Sequence, residues 1–302
     1  MISFTMQVLR RLMALLAITG ALTQGTSADH VAIWSSQFPW YAALTQAPHR
    51  FDNTIYLGDN GLILLSTFGE DDGLLPCPYI EAELYLPDVH ALRTWYADDP
   101  ASSRQGRSDI SAASRAIGAA FAVNGDFYPE QGVTAIRNGT ILNSCVSGYD
   151  LCVLYEDGKL DTFRSDELYS QDLVNEALAG AWQAWSFGPA LLEKDGSPIH
   201  DFSDRIIEYL TREHPRTAIG YYGPGHYLFL NVSGYLKETN GATLEDLSAY
   251  FAEKGCTRAY NLDGGSSAHL WFNGKERGHP SSAVALADLI YLEDLVSMEE
   301  TP

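Results

Sequence analysis

The sequence predicts an α+β fold: a single domain with a mixed β-sheet core, several hairpins and a few packing helices. Three observations predict it. Asn138-Gly139, Asp157-Gly158, Asp195-Gly196 and Asn273-Gly274 each lie between apolar or alternating runs, and such pairs are strong hairpin signals. Two segments of helical period are each followed by a glycine and then an apolar run, the order of a helix, its stop and a strand. No linker interrupts residues 50–296, so hairpins and helix–strand units belong to one body.

Taken in order, Gly61–Ser66 reads as a strand, Tyr79–Leu86 alternates partly and reads as another, and Leu92–Ala97 as a third. Asp109–Ile117 is a helix stopped by Gly118, and Phe121–Asn124 the strand after it. Val153–Tyr155 and Leu160–Phe163 form the clearest hairpin. A helix follows over about 167–179. Trp182, Trp185 and Phe187 then precede the rigid Gly188-Pro189 turn, and at least two of these three aromatics belong to the core. Tyr227–Val232 and Ala287–Leu292 read as central strands. Between them, Leu244–Lys254 carries an apolar stripe of Leu244, Leu247 and Phe251. It opens with Thr243 as N-cap and Asp246 three residues on, a near capping box, and Gly255 ends it.

Residues 1–28 resemble a secretory signal: Arg10 and Arg11, the short apolar run Leu12–Leu22, and small residues at Thr26-Ser27-Ala28. The run is too short for a membrane span, so the mature chain is expected without stable membrane insertion, secreted or associated with the cell envelope. Residues 29–75 form an N-terminal segment and the first edge of the domain, and 76–296 the domain itself. The net charge of −20, from 39 acidic and 19 basic residues, argues against nucleic acid or an anionic membrane as partner. It also requires a local positive pocket for any anionic substrate. Of the four cysteines, Cys145 and Cys152 flank a short loop and could pair. Cys256 sits where a buried free thiol is common. No Cys/His spacing fits zinc.

Chemistry concentrates in two similar segments. Asn261-Leu262-Asp263-Gly264-Gly265-Ser266-Ser267 ends one apolar run, and Asn124-Gly125-Asp126-Phe127-Tyr128 ends another. Each delivers an Asn and an Asp, and the two are expected at one edge of a sheet. Glycine lets backbone approach a ligand closely; the plain alternative is a tight Asx turn. Asp126 and Asp263 supply a carboxylate pair, which glycosidic chemistry uses, or oxygen ligands for a divalent cation. His214-Pro215-Arg216-Thr217 runs from a loop into a strand. Arg216 is a candidate phosphate binder through its planar fork, with a structural ion pair as the alternative. No Gly-rich phosphate loop precedes a helix, and no Gly-x-Ser-x-Gly elbow occurs.

Ala122–Tyr128, Trp185–Leu192, His214–Gly220, Gly241–Leu247 and Asn261–Ser267, in this order and spacing, together resemble the phosphodiester glycosidase family, and its bacterial exported members in particular. The resemblance covers roughly residues 79–292. It implies an exported hydrolase that cleaves the glycosidic bond of a sugar-1-phosphodiester in cell-envelope or extracellular glycans. Asp263 and Asp126 would be its catalytic carboxylates, with Asp263 as nucleophile or base. Asn124, Gly125, Arg216, Thr217, Asn261, Gly264, Gly265, Ser266 and Ser267 would contact substrate, Asn124 and Asn261 holding sugar hydroxyls and Arg216 the phosphate. Where the family has Val-Asp-Gly-Arg, this chain has Val232-Ser233-Gly234-Tyr235, so an acid and an arginine are missing. Two alternatives stay open: a non-catalytic glycan-binding protein on the same scaffold, and a phosphodiesterase with a divalent cation held by Asp126 and Asp263.

Overall fold

A computed structural model describes residues 54–58, 60–69, 73–97, 106–126, 132–203 and 212–293, together with the backbone of 50–51. The signal-like segment, residues 29–49, and Phe127 and Tyr128 of the first motif lie outside them. Among the described residues no helix is long and apolar enough to cross a membrane.

The α+β class holds, with the strands divided among three sheets. A seven-stranded sheet runs, in spatial order, Arg50–Phe51, Ile55–Gly58, Gly61–Phe68, Tyr79–Tyr85, His226–Val232, Arg216–Gly223, Arg258–Asn261. A five-stranded sheet runs Leu160–Phe163, Leu151–Tyr155, Ala181–Trp185, Ala135–Arg137, Thr140–Asn143. The other five-stranded sheet runs Lys275–Arg277, Leu270–Phe272, Ala119–Asn124, Asp288–Glu293, Leu92–Tyr96. Every strand pairing among the described residues is antiparallel. The helix–strand units that suggested a mixed sheet do not place their strands beside a parallel neighbour. One feeds the centre of a five-stranded sheet and the other the edge of the seven-stranded sheet.

The three sheets share one core, in which Phe229 and Tyr260 of the first meet Trp185 and Leu154 of the second and Phe121 and Phe272 of the third. Trp185 and Phe187 are buried and Trp182 half-buried. Helix α1 (Ile110–Ala116) is capped by the Asp109 carboxylate and lays Ile110 and Ala113 on Trp95 and Trp271. Helix α2 (Gln171–Ala177) is shorter than the 167–179 read from the sequence, because Ser165–Glu167 form a separate 3-10 turn and Ser170 is the N-cap. Helix α3 (Leu244–Lys254) has the full capping box of Thr243 and Asp246, and ends at Gly255 with φ 80°. Its stripe covers the face of the seven-stranded sheet that carries Ala218, Leu228 and Leu230. Covering both faces leaves Tyr79–Tyr85 buried throughout, including Glu81 and Glu83. Glu81 pairs with Lys254 and accepts from Tyr250 Oη, while Glu83 accepts from Tyr85 Oη and bonds His226 Nε2 at 2.7 Å. Buried carboxylates need such partners.

The possible Cys145–Cys152 pairing is not formed: neither cysteine is in a disulfide. Cys152 is buried in the strand Leu151–Tyr155, whereas Cys145 lies beyond Thr140–Asn143, at the opposite edge of that sheet.

Gly220 is where α3 sits down on the sheet. A Cβ there would lie 2.6 Å from the Phe251 ring and 2.8 Å from Cys256 Sγ. Gly220→Ala should therefore cost about 1–3 kcal/mol through overpacking, read as a lower urea midpoint. An unchanged midpoint would mean that the helix yields freely.

Candidate active site

The ends of two strands meet, as the repeated Asn/Asp grammar required, but they come from different sheets rather than one edge. Ala119–Asn124 belongs to a five-stranded sheet and Arg258–Asn261 to the seven-stranded one. Asn124 joins them. Its Nδ2 donates to Asp263 O at 2.7 Å and to Gly125 O at 3.2 Å. Its Oδ1 accepts from Thr217 Oγ1 at 2.6 Å and from His269 N at 3.2 Å. Asp263 N donates in turn to Gly125 O at 3.1 Å. An amide offers two donors and two lone pairs, so Asn124 spends its full capacity within the protein. It ties the two loops together at the pocket wall.

The two predicted carboxylates come together. Asp126 and Asp263 line one small pocket with Arg107, Asn124, Ser267 and Asp288, enclosing about 10 Å³, on the order of one water molecule. Asp126 is fixed at both oxygens: Oδ1 accepts from Arg137 Nη2 at 2.6 Å and Oδ2 from Ser186 N at 2.8 Å. The same Arg137 nitrogen reaches Asp288 Oδ2 at 3.1 Å, and its Nη1 donates to Ala184 O. Burial first, and the charge of Asp126 second, push the Asp288 carboxyl well above the usual carboxylate range, against the pull of Arg137. Its carboxylate lies so close to Gly125 that a Cβ there would stand 2.3 Å from Oδ2; the glycine is needed for that approach.

Asp263 is partly open to solvent as a residue, yet protein packs round its carboxyl group. Burial raises its pKa to about 6; hydrogen bonds from Ser267 and from the Gly264 N–H oppose the shift, Asp126 adds to it and Arg107 opposes it. A carboxyl group poised there can take or give a proton near neutral pH. A raised pKa beside a second carboxylate in a cleft marks a functional candidate.

The remaining predicted residues divide. Ser267 lines the pocket. Ser266 is exposed, its carbonyl bonded to His269 Nε2 at 3.0 Å, while His269 Nδ1 meets Glu276. Gly264 packs against Pro215, where a Cβ would stand 2.7 Å from the carbonyl oxygen, and Gly265 N donates to that oxygen at 2.8 Å. Thr217 is buried and serves Asn124. Asn261 is buried away from the pocket lining, its Nδ2 donating to Gly188 O at 2.8 Å and its Oδ1 without a partner. Arg216 does not line the pocket. Successive strand residues face opposite ways, and with Thr217 facing Asn124 the Arg216 side chain is buried on the other face. There Nε donates to Ala242 O at 3.1 Å and Nη2 to Arg212 O at 2.6 Å. Burial lowers its pKa to about 10. The loop that departs from the family pattern is nearby: Tyr235, at φ 53°, bonds His214 Nδ1 at 2.8 Å, with its hydroxyl 3.4 Å from where a Gly265 Cβ would be.

Three groups were missed in the sequence. Arg137 precedes the Asn138-Gly139 turn and Asp288 opens a strand, positions that carry no motif. Arg107 stands in a stretch without periodicity; the only signal was an unpaired charge before a helix cap. Among the described residues, no group of three or more His, Cys, Asp or Glu side chains is placed to hold a metal ion. The Arg137 guanidinium lies between Asp126 and Asp288, contacting both carboxyl groups.

A family model described as phosphodiester glycosidase matches residues 117–293. The SPbeta prophage-derived uncharacterized protein YomE of Bacillus subtilis is 29% identical over 141 residues, covering 47% of this chain and 21% of YomE. The match thus spans about a fifth of that relative's length. Among solved structures, the zebrafish N-acetylglucosamine-1-phosphodiester alpha-N-acetylglucosaminidase catalytic domain, auto-inhibited by its pro-peptide, aligns with TM-score 0.58 at 17% identity, covering 91% of this chain and 96% of that one. A hypothetical protein from Synechocystis aligns with TM-score 0.51 at 14% identity, covering 80% and 64%. Both likenesses show the shared fold.

Two outcomes follow from the geometry. Folding raises the Asp263 pKa from 3.8 to about 6, so ionising it opposes folding: stability is lost as pH rises between those values and the loss levels off above. Asp263→Asn should remove that part of the slope in urea midpoint against pH; an identical slope would place the titration elsewhere. Arg216→Gln should lower stability by about 1–3 kcal/mol, since it strips donors from buried carbonyls. An unchanged midpoint would free Arg216 for another role.

Proposed function

Because this chain belongs to the phosphodiester glycosidase family, we propose that it is an exported hydrolase of sugar-1-phosphodiesters, cleaving between the anomeric carbon and the phosphate oxygen. The observation that carries this reading is Asp263: a carboxyl group with pKa near 6 beside Asp126, in a pocket with room for about one water. In its ionised form Asp263 accepts a proton from water as the water oxygen bonds to the anomeric carbon. The bond to the phosphate oxygen breaks, and its electron pair leaves with a phosphomonoester. Phosphate departs with little need of protonation, so one base suffices where ordinary glycosides need an acid as well. Asp126, tied at both oxygens, adds negative charge near an electron-poor anomeric carbon rather than attacking it. Export is supported by residues 1–28 alone. The zebrafish enzyme's name makes an N-acetylglucosamine phosphodiester the natural first substrate to try.

Product analysis tests the reading. Free sugar plus phosphomonoester is expected; a sugar phosphate would mean a phosphodiesterase, and glycan binding without turnover a non-catalytic scaffold. Asp263→Asn should lower kcat at least about a hundredfold with the fold kept, as judged by an undiminished urea midpoint. Retained turnover would remove Asp263 from the chemistry.

A further inference from the structure

We propose that Arg107 is the anion-recognition residue of this pocket, gripping the phosphodiester oxygens of the substrate. The proposal rests on the function given above and deepens it. The chain carries a net charge of −20, and three aspartates line the pocket, so an anion is repelled unless a cation waits there. Among the described residues, three other candidate cations are committed or remote. Arg137 is fully buried between Asp126 and Asp288. Arg216 is buried behind its strand on two carbonyls. Lys237, in the loop that departs from the family pattern, is 93% exposed and pairs with Glu238 at 3.7 Å.

Among the described residues, Arg107 is the one cation on the pocket wall, and it combines reach with an open face. It lines the pocket, is exposed, and among the described residues holds no hydrogen bond or salt bridge. Its backbone is nonetheless held firmly. Gly106, at φ 82°, donates its N–H to Ala97 O at 2.7 Å. Ser108 and Leu286 exchange both backbone bonds, at 3.0 and 2.8 Å. Asp109 then starts α1. Arg107 is thus clamped beside Leu286–Asp288, which form the same pocket wall. Its field already reaches Asp263, where it opposes the upward shift. A planar guanidinium suits two phosphate oxygens at once. A phosphodiester held there sets its anomeric carbon toward Asp263, which an uncharged glycoside would not gain.

The test uses the full chain with Arg107→Gln, Arg107→Lys, and Arg93→Gln as a control that removes an exposed charge elsewhere. Binding of methyl phosphate is measured by calorimetry, and KM is measured for a sugar-1-phosphodiester and an uncharged aryl glycoside. Arg107→Gln should weaken methyl phosphate at least about tenfold, a loss typical of one charge-assisted contact. It should raise KM for the phosphodiester at least about tenfold more than for the aryl glycoside, and move the acid limb of kcat upward in pH. Arg107→Lys should fall between, and Arg93→Gln should bind methyl phosphate as the parent does. Equal losses on both substrates, an equal loss in Arg93→Gln, or methyl phosphate binding that is absent from the parent or unaffected in Arg107→Gln would overturn the proposal. If the parent cleaves neither substrate but Arg107→Gln loses methyl phosphate, the anion site stands and the hydrolytic reading falls. If the parent cleaves the phosphodiester and Arg107→Gln keeps its KM, the reverse holds.

Discussion

Arg137 reaches from the short strand Ala135–Arg137 into a buried space and binds the carboxylates of Asp126 and Asp288 through one nitrogen, while its other nitrogen holds carbonyls of its own sheet. The rest of the site depends on this contact. It joins two sheets, since Asp288 opens a strand beside Ala119–Asn124 and Arg137 belongs to the sheet that carries Trp185. It also settles the charge. One guanidinium does not offset two buried carboxylates, and burial together with the charge of Asp126 pushes the Asp288 carboxyl well above its usual range. Removing the guanidinium alone would leave an uncompensated acid, a loss of about 3–5 kcal/mol in comparable buried pairs. Beside this cluster, burial raises the pKa of the Asp263 carboxyl to about 6.

The backbone around this cluster has little freedom. Gly125 must lack a side chain because Asp288 occupies that space, and Gly264 because Pro215 does. Asn124 ties the loop after one strand to the loop after another. The Tyr260 hydroxyl accepts from Phe187 N and donates to Asp150 O, which secures the Ser186–Pro189 turn whose Ser186 N–H holds Asp126. Preorganisation of this kind serves the hydrolysis proposed above, because donors and charges already in place need not reorganise during reaction.

Much of the scaffold was legible in the sequence. Asn138-Gly139 and Asn273-Gly274 turn with positive φ at both residues, as their hairpins demand, and Thr243 with Asp246 fixed the start of α3 to the residue. The Asn/Asp repeat pointed to Asp126 and Asp263 because glycine-flanked acids at strand ends are visible locally. What a local reading cannot see is which sheet each strand joins, since register and partner are set by packing over long sequence separations. So two strand ends that meet across sheets looked like one sheet edge. Arg216, attractive beside His214, proved to be a buried clamp because strand alternation turns it away from Thr217. Arg137 and Asp288, 151 residues apart, left no signature that a single sequence could show.

The central claim is that burial beside Asp126 holds the Asp288 carboxyl well above its ordinary range, against the pull of Arg137, while the Asp263 carboxyl is raised to about 6. The most direct measurement is a carbon-13 NMR titration of the aspartate carboxyl carbons in the intact protein. The account predicts that Asp288 keeps the shift of a protonated acid through neutral pH while Asp263 titrates near pH 6. An ionised Asp288 at neutral pH, together with an Asp263 that titrates in the ordinary carboxylate range, would contradict it.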